Sequence, residues 1–200
     1  MQGRPFALLT DTCFVVLALY FIYTYIHFFS TYQQPQTLFF FIYQIAALIL
    51  LLIRKNAVVL SSRPIEYVYA LVGLGAPLLF RPIPGYGGSA MGMFFETVGG
   101  FFVLGAFLSL NRSFGIAPEN RGVKTMGAYR IIRHPMYFGY ALAETGFVIN
   151  NFSYYNLIVF ALAVSFTMLR LQAEERVLRK DREYQEYAQK TRWKLIPLIF

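Results

Sequence analysis

Apolar runs long enough to cross a bilayer, separated by short basic loops, constrain this chain more than any other feature. A hydrocarbon core of roughly 30 Å takes about 20 mainly apolar residues as a helix. In lipid, each backbone polar group must be satisfied within the segment, which selects helix. The first run spans about Thr12 to Phe29 and closes in an uncharged turn, Ser30 to Thr37. The second spans Leu38 to Ile53 and stops at Arg54 and Lys55. Ser61 to Pro64 reads as a helix start, with serine available to cap and Pro64 in the first turn. The third span then covers Ile65 to Phe80, kinked or ended by Pro77. Arg81 to Gly88 is a loop on turn chemistry. The fourth span runs from about Met91 to Leu110, and Gly99, Gly100 and Gly105 permit close helix packing. Tyr137 to Phe166 is apolar again, but Asn150 to Ser153 breaks it into two antiparallel spans.

Only 14% of residues are charged, against about a quarter in an average soluble domain. The net charge of +8 could suggest nucleic acid, but the basic residues stand at the ends of apolar runs rather than on one helix face. That placement suits loops facing anionic lipid heads and excludes a nucleic-acid protein. Numbering the loops alternately, one side receives Arg4, then Arg54, Lys55 and Arg63, then Arg112, Arg121, Lys124, Arg130 and Arg133, then the tail. The other side receives only Arg81. The expectation is therefore an all-α integral membrane protein of about six transmembrane helices, both termini cytoplasmic, with a cytoplasmic C-terminal helix. Residues 1–200 read as a single membrane domain, with four spans in 1–110 and the chemistry in 111–200. The first run reads as a retained span rather than a signal peptide.

Cys13 is the single cysteine, and His27 and His134 are the only histidines. No intrachain disulfide and no metal site are expected. The segment from Arg170 to Lys190 reads as a solvated helix, with Glu175 before Arg179 and Glu186 before Lys190 at i,i+4 spacing. Tyr184 and Tyr187 share a face, and Trp193 to Phe200 is expected in the interface.

His134 precedes Pro135, which disfavours helical geometry at His134 and opens the fifth span in its first turn. The helix N-terminus so formed offers N–H groups and partial positive charge, and Arg130 and Arg133 stand beside it. Together they form a candidate anion receptor, the alternative being positive-inside markers around a capping histidine. Glu96 and Glu144 lie within spans, where an ionisable group faces a cavity or a partner helix. Glu174 and Glu175 emerge beside the motif and can accept from ribose hydroxyls, pair with an arginine, or be solvated. Tyr129 and Tyr137 flank the receptor, and a tyrosine face attracts a sulfonium cation, with interface anchoring as the alternative.

Gly127, Tyr129, Arg133, His134, Pro135, Tyr137 and Gly139, followed by Glu174 and Glu175, then Tyr184, Tyr187 and Pro197, resemble the isoprenylcysteine carboxyl methyltransferase family and its bacterial relatives. The resemblance covers roughly Asn111 to Phe200. Phospholipid methyltransferases share its Arg-His-Pro-x-Tyr-x-Gly core, and membrane sterol reductases resemble its C-terminal architecture more loosely. Ala128 departs from the proline common in the family. The resemblance implies an integral membrane enzyme using S-adenosyl-L-methionine on a lipophilic small-molecule or prenylated substrate among membrane lipids, in a bacterial inner membrane. It implies a cofactor pocket formed by His134, Pro135, Tyr137 and Gly139 and closed by Glu174 and Glu175, and Tyr129 joins them as the aromatic face read above. By position, Arg133 or Arg170 would hold an acceptor carboxylate. An NADPH-dependent reductase and a non-catalytic scaffold are the alternatives.

Overall fold

The computed structural model describes residues 4–32, 36–83, 88–196 and 199. The expected turn at Ser30 to Thr37 and loop at Arg81 to Gly88 lie partly outside these residues, and Pro197 lies wholly outside. The described residues form seven α-helices: α1 (Arg4–Tyr32), α2 (Gln36–Ile53), α3 (Pro64–Gly75), α4 (Ala90–Leu110), α5 (Pro135–Asn150), α6 (Tyr154–Leu178) and α7 (Arg182–Lys190). The expected all-α membrane architecture is what forms. Among the described residues, the stretches Pro5–Thr24, Ala90–Ser113 and Tyr154–Leu178 are long and apolar enough to cross a bilayer. Phe41–Ile53 and Pro64–Leu79 are shorter apolar helices.

Local chemistry sets the helix ends. Ser89, Ser153 and Asp181 cap α4, α6 and α7, each side chain accepting from a first-turn amide. Pro64 and Pro135 occupy the first turns of α3 and α5, where the missing N–H is harmless. Pro77 ends α3 as expected, turning it into the 3₁₀ segment Ala76–Leu79. Ser61 does not cap α3. Arg63 takes that position, and the Ser61 hydroxyl donates to the Glu66 carboxylate at 2.5 Å.

The closest helix pair is α4 with α5, where glycine brings backbone against backbone. A Cβ on Gly99 would lie 2.5 Å from the Ala143 nitrogen, and one on Gly146 would lie 2.5 Å from the Gly92 carbonyl oxygen. Of the expected small residues, Gly99 makes this contact, whereas Gly105 has nothing within 4 Å of its notional Cβ. The opposite face of α4 exposes Phe94, Phe101 and Leu108 at seven-residue intervals, which suits lipid. One hydrophobic core runs from Phe14 and Tyr43 in the N-terminal helices through Phe107 and Tyr137 to Tyr184 and Tyr187 in α7.

The expected solvated helix from Arg170 onward divides. Residues to Leu178 extend α6, and α7 turns back so that Tyr184 and Tyr187 are buried with ring centroids 5.7 Å apart. Glu175 pairs with Arg179 as expected, but Glu186 pairs with Arg182. Val59–Leu60 and Glu119–Asn120 form a two-residue antiparallel pair absent from the sequence expectation. It ties the segment after α2 to the segment after α4.

Candidate active site

The loop before α5 folds over a 3₁₀ turn, Gly127–Arg130, entered at a positive φ of 64° by Gly127, where a side chain would be strained. The turn buries Tyr129. His134 caps α5 in non-helical geometry, as its place before Pro135 requires. The amides of Arg133 and His134 donate to the carbonyls of Trp193 at 2.9 Å and Lys194 at 2.8 Å. The expected interfacial tail thus lies against the motif, and Leu195 joins the core.

Glu175 is the hub beneath this loop. Its carboxylate accepts from Arg133 Nε at 2.9 Å, Tyr184 Oη at 2.5 Å and Arg179 Nε at 3.1 Å, and lies 3.0 Å from His134 Nε2. Arg133 spends further donors on the carbonyls of Thr191 at 3.0 Å and Arg192 at 3.2 Å. Two sequence expectations change here. Arg133 is committed to Glu175 and the tail, and so is not free to hold an acceptor carboxylate. Glu175 faces α7 and the motif rather than the pocket, so it braces the pocket instead of closing it. Arg130 of the expected anion receptor is exposed.

The pocket itself is lined by Tyr129, His134, Tyr137 and Glu174, by Lys124 from the preceding loop, and by Tyr184 and Tyr187 from α7. Tyr137 donates to Glu174 at 2.5 Å, and its ring stacks on His134 at 5.6 Å between centroids and 13° between planes. Tyr187 donates to the Tyr129 carbonyl at 2.6 Å. Burial holds the Tyr129, Tyr184 and Tyr187 phenols above the ordinary tyrosine range, and the Glu175 charge adds to this at Tyr184. Tyr184 and Tyr187 stay neutral donors. Pro135 and Gly139, expected in the pocket, do not line it. Pro135 is buried in the first turn of α5, and Gly139 faces α4, where a Cβ would lie 2.8 Å from the Gly99 carbonyl oxygen.

Arg170 lies elsewhere, beside a mainly apolar cavity between α1, α2, α3, α5 and α6. Its guanidinium carbon stands 5.1 Å from the Tyr137 ring centroid, and Nη2 donates to the Gly115 carbonyl at 3.3 Å. Its Nε is buried with no hydrogen-bond partner among the described residues. Tyr137 is therefore the side chain at which pocket and cavity meet.

Sequence reasoning missed the ion pairs around this site. Arg121, read as a charge marker, donates to both Glu119 oxygens at 2.7 and 2.8 Å. Arg54 pairs with Asp11 and lies 3.7 Å from Glu119. Glu66, 1% exposed, pairs with Arg176. The available signal was scarcity: with ten acids against eighteen Lys and Arg, an acid in or beside a basic loop is a candidate partner.

The described residues form a mainly helical body with helices apolar enough to cross a membrane, an aromatic pocket and an apolar cavity beside it. The sequence profile for phospholipid methyltransferases matches residues 80–185, and the chain belongs to that family. This places it in the group of membrane methyltransferases that includes the isoprenylcysteine enzymes. The matched region contains α4 to α6 and the start of α7, and leaves α1 to α3 outside it. Comparison with curated proteins gave no match.

Proposed function

We propose that this protein transfers a methyl group from S-adenosyl-L-methionine to a lipophilic acceptor, an isoprenylcysteine-type carboxylate or a lipid hydroxyl or amine. The observation that carries this is the place of Tyr137, which borders the pocket and lies against Arg170 of the cavity. The residues present fit the cofactor. Tyr129 and Tyr137 offer aromatic faces to a cation, Glu174 offers a carboxylate to hydroxyl or amino groups, and Lys124 offers positive charge to a carboxylate. When bound, the cofactor supplies a methyl group activated by its sulfonium.

The chain's own residues then hold and align. Glu175, Arg133 and His134 fix the pocket wall, and the neutral Tyr187 phenol fixes the Tyr129 backbone. Of the two arginines expected to hold an acceptor carboxylate, Arg170 has the donor to spare. Displacement at a methyl group needs proximity, alignment and partial exclusion of water rather than a covalent nucleophile. Six spans in one domain over residues 1–200, with both termini and the pocket on the cytoplasmic side of a bacterial inner membrane, complete the proposal.

Calorimetry with S-adenosylhomocysteine on detergent-purified protein tests it. Wild type should bind, and His134→Ala and Glu174→Gln should bind at least about tenfold more weakly. Binding of NADPH instead would replace this function with a reductase, and binding of neither would leave a scaffold.

A further inference from the structure

The cavity holds polar groups that the protein leaves without partners. Glu144 on α5 and Thr167 on α6 are 7% and 8% exposed, and both line the cavity. Gln44 on α2 lines it as well. None of the three side chains makes a hydrogen bond or ion pair with a described residue. Buried polar groups in native proteins are almost always paired, and one left unpaired at membrane depth is costly. Two such groups, with the half-buried Gln44 beside them, line one mainly apolar space from three different helices and form a recognition point for a polar group on something that enters.

Their place along the bundle says where that group lies. Glu144 follows Tyr137 by seven residues, two turns on the same face of α5, so the two are about 10 Å apart along the helix axis. Arg170 marks the Tyr137 end. A hydroxyl suits the deep end, because it donates to a carboxylate or amide oxygen and also accepts from an amide or hydroxyl.

We propose that Gln44, Glu144 and Thr167 bind a hydroxyl carried part-way down the acceptor's chain, so that the natural acceptor is a hydroxylated lipid rather than a plain hydrocarbon chain. This rests on the proposed function, in which the acceptor's reacting end lies at Arg170. The specificity so produced differs from head-group recognition. The enzyme measures the distance between two polar groups on one chain.

Stearate and 10-hydroxystearate are matched probes, since about eight methylene groups between carboxylate and hydroxyl span a distance close to that between the two stations. Binding is measured by calorimetry on the full chain in detergent, saturated with S-adenosylhomocysteine. The expected result is an affinity for 10-hydroxystearate about tenfold above that for stearate. Glu144→Leu and Gln44→Leu should each abolish the difference without weakening stearate binding, and Glu144→Gln should keep most of it. Equal affinities in wild type overturn the proposal and assign the polar groups to trapped water. A preference that survives Glu144→Leu, or failure of both lipids to bind, also overturns it. S-adenosylhomocysteine binding in the same samples reports separately on the methyltransferase function and on folding.

Discussion

Removing the charge of Glu175 separates bracing from the proposed cofactor contact. Glu175 is 6% exposed and compensates the charge of Arg133, which is 5% exposed. In Glu175→Gln the side chain keeps its shape but loses its charge, and its new NH₂ faces groups that are themselves donors. Breaking a buried pair from one side costs about 3–5 kcal/mol, because the remaining charge stays buried without compensation. Arg179 adds little to this, its side chain being 54% exposed. For a chain of this length each kcal/mol lowers the melting temperature by about 2–4 °C, so a fall of about 6–20 °C is expected. Trp193, the single tryptophan, has its carbonyl bonded to the Arg133 amide and reports the loss by fluorescence during thermal melting in detergent. Glu174→Gln is the contrast. Glu174 is half-buried, lines the pocket and accepts from Tyr137. It should melt within about 2 °C of wild type, because glutamine keeps an oxygen that accepts from Tyr137, while losing cofactor affinity. Equal melting of wild type and Glu175→Gln, or an equally large loss in Glu174→Gln, would refute the division of labour.

The α4–α5 seam gives a second test: Gly99→Ala and Gly146→Ala should each cost about 1–3 kcal/mol in melting experiments, whereas Gly105→Ala should be neutral or stabilising. The Asp11–Arg54–Glu119–Arg121 cluster predicts non-additivity: a double-mutant cycle of Arg54→Ala and Glu119→Gln should show a coupling of about 0.5–3 kcal/mol. The pocket phenols predict an alkaline limit. Their pKa values are raised on folding, so their contribution is complete below the unfolded value of about 10 and is lost as pH rises beyond it. Absorbance titration should show Tyr129, Tyr184 and Tyr187 ionising only together with unfolding, and ionisation of all three in folded protein would refute this.

The helices were legible because lipid imposes a simple rule. Hydrophobic length and proline or polar breaks placed α3, α4 and the α5–α6 boundary within a few residues of where they form. The pocket wall of Tyr129, His134, Tyr137 and Glu174 was legible through the motif. What stayed hidden depends on three-dimensional pairing that neither period nor motif encodes. Arg121 reads as a loop charge until the Val59–Leu60 and Glu119–Asn120 pairing brings Glu119 beside Arg54. Gly139 reads as a pocket residue until α4 packs against it. The tail reads as an interfacial segment until its carbonyls meet the motif's amides.

Glu174 and Glu175 show why adjacency in sequence misleads about shared role. Successive residues on a helix project about 100° apart, so two neighbouring carboxylates on α6 can serve different surroundings. The face that carries Glu175 also carries Leu171, fully buried one turn earlier, and meets α7 and the motif loop. Glu174 is turned toward the pocket, where Tyr137 meets it. One more turn toward the membrane, Arg170 lies four residues before Glu174 and reaches the cavity. A single helix thus presents three charges in succession: one to the apolar cavity, one to the aromatic pocket and one to the brace behind both. Their spacing along α6 is fixed by the helix, so a change in the tail that tilts Glu175 moves Glu174 and Arg170 with it.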